Sequence, residues 1–228
     1  IARRMMAYAN RLHPGIVKGI LLASGDYNQD LLPTALLLEV GTHTSTREEA
    51  ERLLKAARLT PDALRDEAVM RLFLQTGCRL SELLGLKVGD VQLPAGRVRY
   101  LGKGEKERWV PLTAATRGCL QRYLQDAPGR YGGPWDAGTP LFRRRSGAPL
   151  TDGEIYRLLH RCVAAAGLTR RVTPHTLRHT CLTLLLEAGA DLRALQEIAG
   201  HSSVATTQIY THVSSRRLQQ VMSRHPLG

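Results

Sequence analysis

Long apolar runs are missing from this sequence. The runs ILLAS (20–24) and ALLLEV (35–40) are far shorter than the roughly 18–20 residues that cross a bilayer as a helix. They are also too short for the apolar centre of a secretory signal. We therefore predict no membrane span. Because the sequence opens on Ile1 rather than methionine, we expect an upstream part, and any targeting signal in it, to be missing.

Closely spaced cysteines are missing as well. Cys78, Cys119, Cys162 and Cys181 are widely scattered, no two of them form a C-x-x-C pair, and each has apolar or small neighbours. This spacing argues against disulfides and metal ligands and favours buried free thiols in a reducing compartment. We predict a cytoplasmic protein.

Acidic residues are few relative to basic ones. The 228 residues hold 32 lysines and arginines against 20 aspartates and glutamates, a net charge of +12. Most of the excess follows residue 58, where 24 basic residues face 14 acidic ones. Such an excess attracts a polyanion, most commonly nucleic acid. The alternative is a solvated basic face that has no partner.

Turn residues divide the chain into short segments. TSTREEAERLLKAARL (44–59) predicts a helix with Thr44 or Ser45 as its N-cap, and Pro61 opens a second helix that ends at Gly77. DVQL, RVRYL and RWVPL predict a three-stranded meander. Further helices are predicted at 113–126, 152–166, 175–188, 191–199, 203–211 and 214–223. The predicted fold class is α+β, mostly helical, with one small antiparallel sheet.

The segment PHTLRHT (174–180) places polar side chains at the start of a helix. Thr173 can cap this helix and Pro174 suits its first turn. At 100° per residue the apolar residues share one face, and His175, Arg178 and His179 fall on the opposite face. The free N–H groups and the dipole of a helix N-terminus favour a phosphate there. The alternative is a solvated polar face.

Four further side chains suit phosphodiester chemistry. Arg79, Lys103 and His201 can supply positive charge, and the hydroxyl of Tyr210 can serve as a covalent nucleophile. Simpler explanations remain open for single residues. Arg79 can pair with Glu82, Lys103 can be a solvated hairpin tip, and Tyr210 can be a packing residue.

The order and spacing of these residues resemble the tyrosine recombinases, or phage-type integrases. From about residue 61 to 226 the chain resembles their catalytic domain, and most closely that of the bacterial Xer recombinases. The matching segments are TGCRLSELLGLKVGDV, LGKGEKERWVPL, PHTLRHT and GADLRALQEIAGHSSVATTQIYTHVSSRRLQQV. The resemblance implies site-specific cleavage and rejoining of double-stranded DNA, with no metal or other cofactor.

The resemblance also implies which residues carry the chemistry. Tyr210 attacks the scissile phosphate and forms a 3′-phosphotyrosyl bond, Lys103 protonates the leaving 5′-oxygen, and His175 assists proton movement or positioning. Arg79 and Arg178 clamp the non-bridging oxygens, and His201 donates to the phosphate. The tail from Ser214 to Pro226 resembles the region that docks onto a neighbouring subunit, so self-association or a related recombinase on DNA, as a tetrameric synapse, is implied.

The first 58 residues depart from that family. They lack its separate N-terminal helical domain, which closes a clamp around DNA, and residues 13–55 instead resemble the C-terminal end of the zinc-dependent stage II sporulation protein P amidases. Glu39 matches a catalytic carboxylate of that family, but its zinc ligands lie upstream, and only His13 and His43 are present here. We expect a truncated amidase-like segment at 1–58 and a recombinase catalytic domain at 59–228.

Three functions follow from these patterns. The leading hypothesis is a DNA breaking-and-rejoining recombinase, with a topoisomerase-like nicking and closing activity as a variant of the same chemistry. A DNA-binding remnant without catalysis is the second, because the clamp domain is missing. A fragment of a zinc-dependent cell-wall amidase is the third. The basic loop FRRRSG (142–147) and the β hairpin are predicted to contact phosphates.

Overall fold

A computed structural model describes residues 46–102, 107–200 and 215–227, which pack around one hydrophobic core. The helices are α1 (Arg47–Ala57), α2 (Ala63–Thr76), α3 (Leu80–Leu84), α4 (Ala114–Tyr131), α5 (Asp152–Ala165), α6 (Pro174–Glu187), α7 (Leu192–Ala199) and α8 (Ser215–Ser223). The strands are β1 (Val91–Gln92), β2 (Arg97–Leu101) and β3 (Glu107–Pro111). The predicted α+β class is confirmed, and the predicted helix at 203–211 lies outside the described residues.

Helix α2 is the centre of the fold. It packs against α1, α4 and α6, so that every residue from Arg65 to Thr76 is buried. The helix ends where predicted, because Gly77 adopts a left-handed φ of 61° and its N–H donates to the carbonyl of Phe73. Only glycine takes this conformation without strain. The chain therefore turns sharply just before Cys78 and Arg79.

Helix α2 also buries an ion cluster, the Glu67 cluster, on the side that faces α1 and α4. The carboxylate of Glu67 accepts from the Arg58 and Arg71 guanidinium groups at 2.8 Å each, and Arg122 lies 4.0 Å away. The side chains of Arg71 and Glu67 are 9% and 5% exposed, whereas those of Arg58 and Arg122 are 52% and 56% exposed. The excess positive charge of this cluster thus lies in solvent.

The N-cap of helix α1 is Thr46, which follows both predicted N-cap positions. Neither Thr44 nor Ser45 is the N-cap, because Thr46 accepts from the Glu49 N–H and the Glu49 side chain accepts from the Thr46 N–H. This capping box satisfies both donors at once. Ser45 also has a glutamate, Glu48, three residues further on, so the spacing alone does not choose between the two caps. Helix α1 packs on α2 and α5 and buries Leu53 and Leu54, so the shared core includes residues that precede the expected boundary at 59.

The sheet has the predicted order and direction. β2 pairs antiparallel with β1 and β3, and Val98 of β2 faces Val110 of β3. Alternate residues of β2 are buried, namely Val98 and Tyr100, as expected for a sheet with one face on the core. The hairpin between β2 and β3 carries Lys103, which lies outside the described residues.

Helix α4 extends five residues beyond its predicted end and includes Pro128. Its last turn is held by tertiary contacts, since Tyr131 is 2% exposed and the Arg130 guanidinium group donates to the Pro61 carbonyl at 3.1 Å. Packing of this kind overrides a local helix-breaking signal. Within the described segments, no helix combines the length and apolar character that crossing a bilayer requires.

The four cysteines are buried free thiols, as predicted. Burial raises the pKa of the Cys78 and Cys119 thiols to about 11. A buried, protonated thiol is a poor nucleophile and a poor metal ligand. These residues are therefore small core side chains, of which Cys78 and Cys181 pack beside the turn at Gly77.

The arginines of the loop at 142–147 bind partners within the chain. Arg145 donates to Asp62 at 3.1 Å, Arg144 lies 3.7 Å from Glu154, and Arg143 donates to the Gly132 carbonyl at 3.0 Å. A phosphate that binds here would have to compete with these contacts. The predicted role of the loop in phosphate contact therefore stays a prediction.

Candidate active site

Helix α6 starts as its sequence predicts. Thr173 accepts from the Thr176 N–H at 3.2 Å, and Pro174 occupies the first turn. The position of Arg178, however, differs from the prediction that it lies on the face opposite the core. Arg178 is 6% exposed and belongs to the buried side of the helix together with Leu177 and Cys181. A helical wheel predicts one buried face, whereas α6 has packed neighbours on more than one side, α2 and α7.

The guanidinium group of Arg178 bridges the ends of two helices. It donates to the Gly77 carbonyl, at the end of α2, at 2.5 Å and to the Ala199 carbonyl, at the end of α7, at 2.7 Å. Carbonyls at a helix C-terminus carry partial negative charge and have no partner within the helix. They are therefore natural acceptors for a buried cation.

Arg79 reaches the same end of α7 from the other side of the Gly77 turn. Its guanidinium group donates to the Gly200 carbonyl at 3.3 Å and to Glu82 at 2.9 Å. The ion pair with Glu82, the simpler explanation of this arginine, is therefore present. It does not remove Arg79 from the site, because the side chain is 41% exposed and remains next to Arg178.

Arg108 on β3 is a third arginine in the group, and the sequence did not single it out. Its guanidinium group forms two bonds with Glu82, at 2.6 and 2.8 Å, and donates to the Ile198 carbonyl at 3.0 Å. Its only sequence signal is its place in the segment LGKGEKERWVPL, where Lys103 drew attention instead. We call Arg79, Arg108, Arg178 and Glu82 the arginine cluster.

Burial and charge set the protonation of the arginine cluster. Burial, followed by the neighbouring charges of Arg79 and Arg108, lowers the pKa of Arg178 to about 10. Burial alone would raise the pKa of Glu82, but hydrogen bonds and charge from Arg108, and then from Arg79, outweigh it and lower that pKa to about 2. Three guanidinium groups around one carboxylate leave a net positive charge, which disfavours the charged form of Arg178. An anion would relieve this cost.

His175 lies at the exposed end of α6 and contacts His179. The two Nε2 atoms are 2.7 Å apart, and the rings meet edge to face with centroids 4.3 Å apart. Residues four apart share one face of a helix, which explains the contact. His175 is exposed, whereas Arg178 is buried one turn further along α6.

The other three predicted site residues, Lys103, His201 and Tyr210, lie outside the described residues. The structure describes the chain that leads up to two of them, His201 and Lys103. Helix α7 ends at Gly200, in a left-handed conformation with a φ of 63°, immediately before His201. Strand β2 ends at Leu101, two residues before Lys103. The described part of the site is thus the arginine cluster and His175.

This arrangement suits an oxyanion with more than one free oxygen. Guanidinium groups donate in a planar fork that matches phosphate, and two of them converge from residues that are far apart in the chain. Arg79, Arg108 and Arg178 donate to three consecutive carbonyls, those of Gly200, Ile198 and Ala199. Three guanidinium groups therefore lie at the end of α7, directly before His201.

Known proteins share this sequence pattern and this fold. The sequence model of the phage integrase family matches residues 44–217, and that of the stage II sporulation protein P family matches residues 1–57. Tyrosine recombinase XerD of Listeria monocytogenes serotype 4b (strain F2365) is 40% identical over 181 residues, which cover 78% of this chain and 61% of that protein. The chain therefore spans less than two thirds of that relative.

Solved structures agree with the sequence comparison. The crystal structure of XerA recombinase, 34% identical, superposes with a TM-score of 0.64 over 80% of this chain and 64% of that one. A pre-cleavage complex of XerH site-specific recombinase bound to difH substrate is 32% identical, with a TM-score of 0.62 over 79% of this chain and 54% of that one. With the family match extending over most of its length, this chain belongs to the phage integrase family, as a Xer-like tyrosine recombinase catalytic domain.

Proposed function

We propose that the protein is a site-specific DNA recombinase that cleaves and rejoins DNA through a 3′-phosphotyrosyl intermediate. The observation that carries this proposal is the convergence of Arg79 and Arg178 on adjacent carbonyls at the end of α7, directly before His201. Residues from three separate segments meet where a phosphodiester would need cationic donors. Membership of the phage integrase family supplies the reaction class.

The proposed reaction conserves the energy of the broken bond. The Tyr210 hydroxyl loses its proton, with His175 assisting, as its oxygen attacks phosphorus. The bond from phosphorus to the 5′-oxygen breaks, and Lys103 delivers a proton to that leaving oxygen. The phosphotyrosine then accepts attack by a 5′-hydroxyl, which reseals a strand and releases Tyr210. No nucleotide hydrolysis is needed, because each ester bond that breaks is replaced by another.

Arg79 and Arg178 stabilise the charge that develops on the non-bridging oxygens, and His201 donates to the same phosphate. Donors that are fixed in place before the reaction lower its barrier without a reorganisation cost. The carbonyls of Ala199 and Gly200 support this role, because they hold both guanidinium groups in place before DNA arrives. His175 assists proton movement or positioning from the start of α6.

The proposed partner is double-stranded DNA, with self-association or a related recombinase in a tetrameric synapse. One similar protein, XerH, has a solved structure with its difH substrate. The excess of basic residues after residue 58 supports a polyanionic partner. Buried free thiols support a cytoplasmic location. We place the start of the catalytic domain before α1, since that helix shares its core, and the remaining residues, 1–45, form the amidase-like segment.

A covalent trap tests the function. The protein is mixed with a nicked duplex whose 5′-hydroxyl fragment diffuses away after cleavage, so that a phosphotyrosyl adduct accumulates. We expect wild type to become cross-linked to DNA and Tyr210→Phe to bind the same duplex without cross-linking. Binding without an adduct in wild type would identify a DNA-binding remnant. Zinc-dependent release of peptide from peptidoglycan would identify the amidase alternative.

A further inference from the structure

Arg108 connects the Arg79–Glu82 pair of the arginine cluster with the end of α7. It touches Glu82, which in turn holds both the side chain and the backbone N–H of Arg79 at 2.9 and 2.7 Å. It also touches the Ile198 carbonyl on α7, at 3.0 Å. One side chain on β3 thus fixes Arg79 through Glu82 and fixes the end of α7 directly.

The surroundings of Arg108 leave it little freedom. Its side chain is 12% exposed, and its guanidinium carbon lies 4.9 Å from the centre of the Tyr100 ring. On the other side it lies against Gly200, where an added Cβ would come within 3.0 Å of its Cδ and Nη1 atoms. A planar fork with these three contacts cannot shift without moving either Glu82 or the backbone at Gly200.

We propose that Arg108 is a positioning residue for the recombinase reaction, which acts by orienting Arg79 and the end of α7 that leads into His201. It makes no contact with the reacting phosphate. The planar fork of its guanidinium group is required, and positive charge alone does not suffice, because the two bonds to Glu82 and the bond to Ile198 use different nitrogen atoms. This inference rests on the proposed function of the site.

A matched pair of buried arginines separates this role from a general effect on folding. Arg71 pairs with Glu67, and their side chains are 9% and 5% exposed, close to the 12% and 3% of Arg108 and Glu82. Arg71 belongs to the Glu67 cluster and has no contact with the arginine cluster among the described residues. Arg71→Met is therefore the control for Arg108→Met.

The experiment measures single-turnover cleavage of the nicked duplex and, separately, DNA affinity. We expect Arg108→Met and Arg108→Lys to cleave on the order of a hundredfold more slowly than wild type, as misplaced catalytic groups do, with DNA affinity changed by less than about threefold. Arg71→Met is expected to retain the wild-type rate. Full activity of Arg108→Lys would overturn the requirement for the fork, and full activity of Arg108→Met would overturn the proposal.

A second measurement does not depend on cleavage. In ¹H–¹⁵N spectra we expect the Arg79 Nε–Hε and Gly200 amide resonances to move in Arg108→Lys and Arg108→Met but to stay in place in Arg71→Met. If wild type forms no adduct, the proposed function fails and this measurement alone decides the positioning role. Unmoved resonances in both Arg108 variants would overturn it. If Arg108→Met does not fold, Arg108→Lys decides in both experiments.

Discussion

Two buried clusters of this protein have the same composition but differ in how far their arginines are exposed to solvent. The Glu67 cluster and the arginine cluster each hold three arginines around one glutamate. In the Glu67 cluster two of the arginines extend into solvent, with 52% and 56% of their side chains exposed. In the arginine cluster Arg79 is 41% exposed, but Arg178 is buried and its pKa is lowered to about 10. Excess charge that cannot reach water is what distinguishes a site for an anion from a structural ion pair.

Loss of Arg178 should give the largest effect and the clearest difference between the clusters. We expect Arg178→Ala to raise the activation free energy of cleavage by on the order of 3–4 kcal/mol, more than a hundredfold in rate, as removal of a fixed donor to a charged transition state does. Arg71→Ala, in the Glu67 cluster, should cleave at the wild-type rate per folded molecule. Near wild-type cleavage by Arg178→Ala in the covalent trap on the nicked duplex would show that Arg178 has only a packing role.

Acid should weaken the arginine cluster through Glu82. Its folded-state pKa is about 2, below the ordinary value of 4.5, so its stabilising effect is complete above the ordinary pKa and is lost as the pH falls towards 2. The difference corresponds to about 3 kcal/mol of unfolding free energy. We expect Glu82→Gln to be less stable at pH 7 and to lose less stability between pH 5 and 2.

Urea unfolding at several pH values measures this effect. Glu67→Gln is the companion variant, because hydrogen bonds from Arg58 and Arg71 outweigh burial and lower the pKa of Glu67 as well. Glu67→Gln should remove the loss of unfolding free energy at acid pH that is due to Glu67 and keep the loss that is due to Glu82. If the unfolding free energy of Glu82→Gln falls with acid as steeply as that of wild type, the arginines do not hold the Glu82 carboxyl in its ionised form.

An inorganic oxyanion should stabilise one cluster and not the other. Because the arginine cluster carries buried excess charge, we expect sulfate at ten times its dissociation constant to raise the unfolding free energy by about 1.4 kcal/mol. The gain should vanish in Arg178→Ala and persist in Arg71→Ala. Thermal melts in sulfate and in chloride at equal ionic strength test this. An equal gain in all three proteins would point to a general salt effect.

The smallest expected effect concerns α1, which carries Arg58 of the Glu67 cluster near its end. Removal of the capping hydroxyl in Thr46→Ala should cost about 1 kcal/mol of stability, while Thr46→Ser should cost much less. Cleavage by the folded protein should be unchanged in both variants. A reduced cleavage rate in Thr46→Ala would show that the two clusters are coupled through α2.

Local signals predicted the elements well and the environment of side chains less well. Gly77, Thr173 and the meander could be predicted because a left-handed turn, a cap and strand alternation depend on neighbouring residues in the chain. The burial of Arg178 and the role of Arg108 could not, because both depend on α2, α6, α7 and β3 meeting in space. Even the cap of α1 was misplaced, since Ser45 and Thr46 are both capping residues with a glutamate three residues further on.

Gly200 imposes a constraint on every variant of this protein that selection or a laboratory library could produce. Its left-handed backbone ends α7, its carbonyl receives Arg79, and its bare Cα leaves the space that Arg108 fills. Any side chain at this position would strain the turn, and its Cβ would lie only 3.0 Å from atoms of the Arg108 side chain, which would have to shift. A residue with no functional group of its own thus limits how far the arginine cluster can diverge, and libraries that vary this region should keep it fixed.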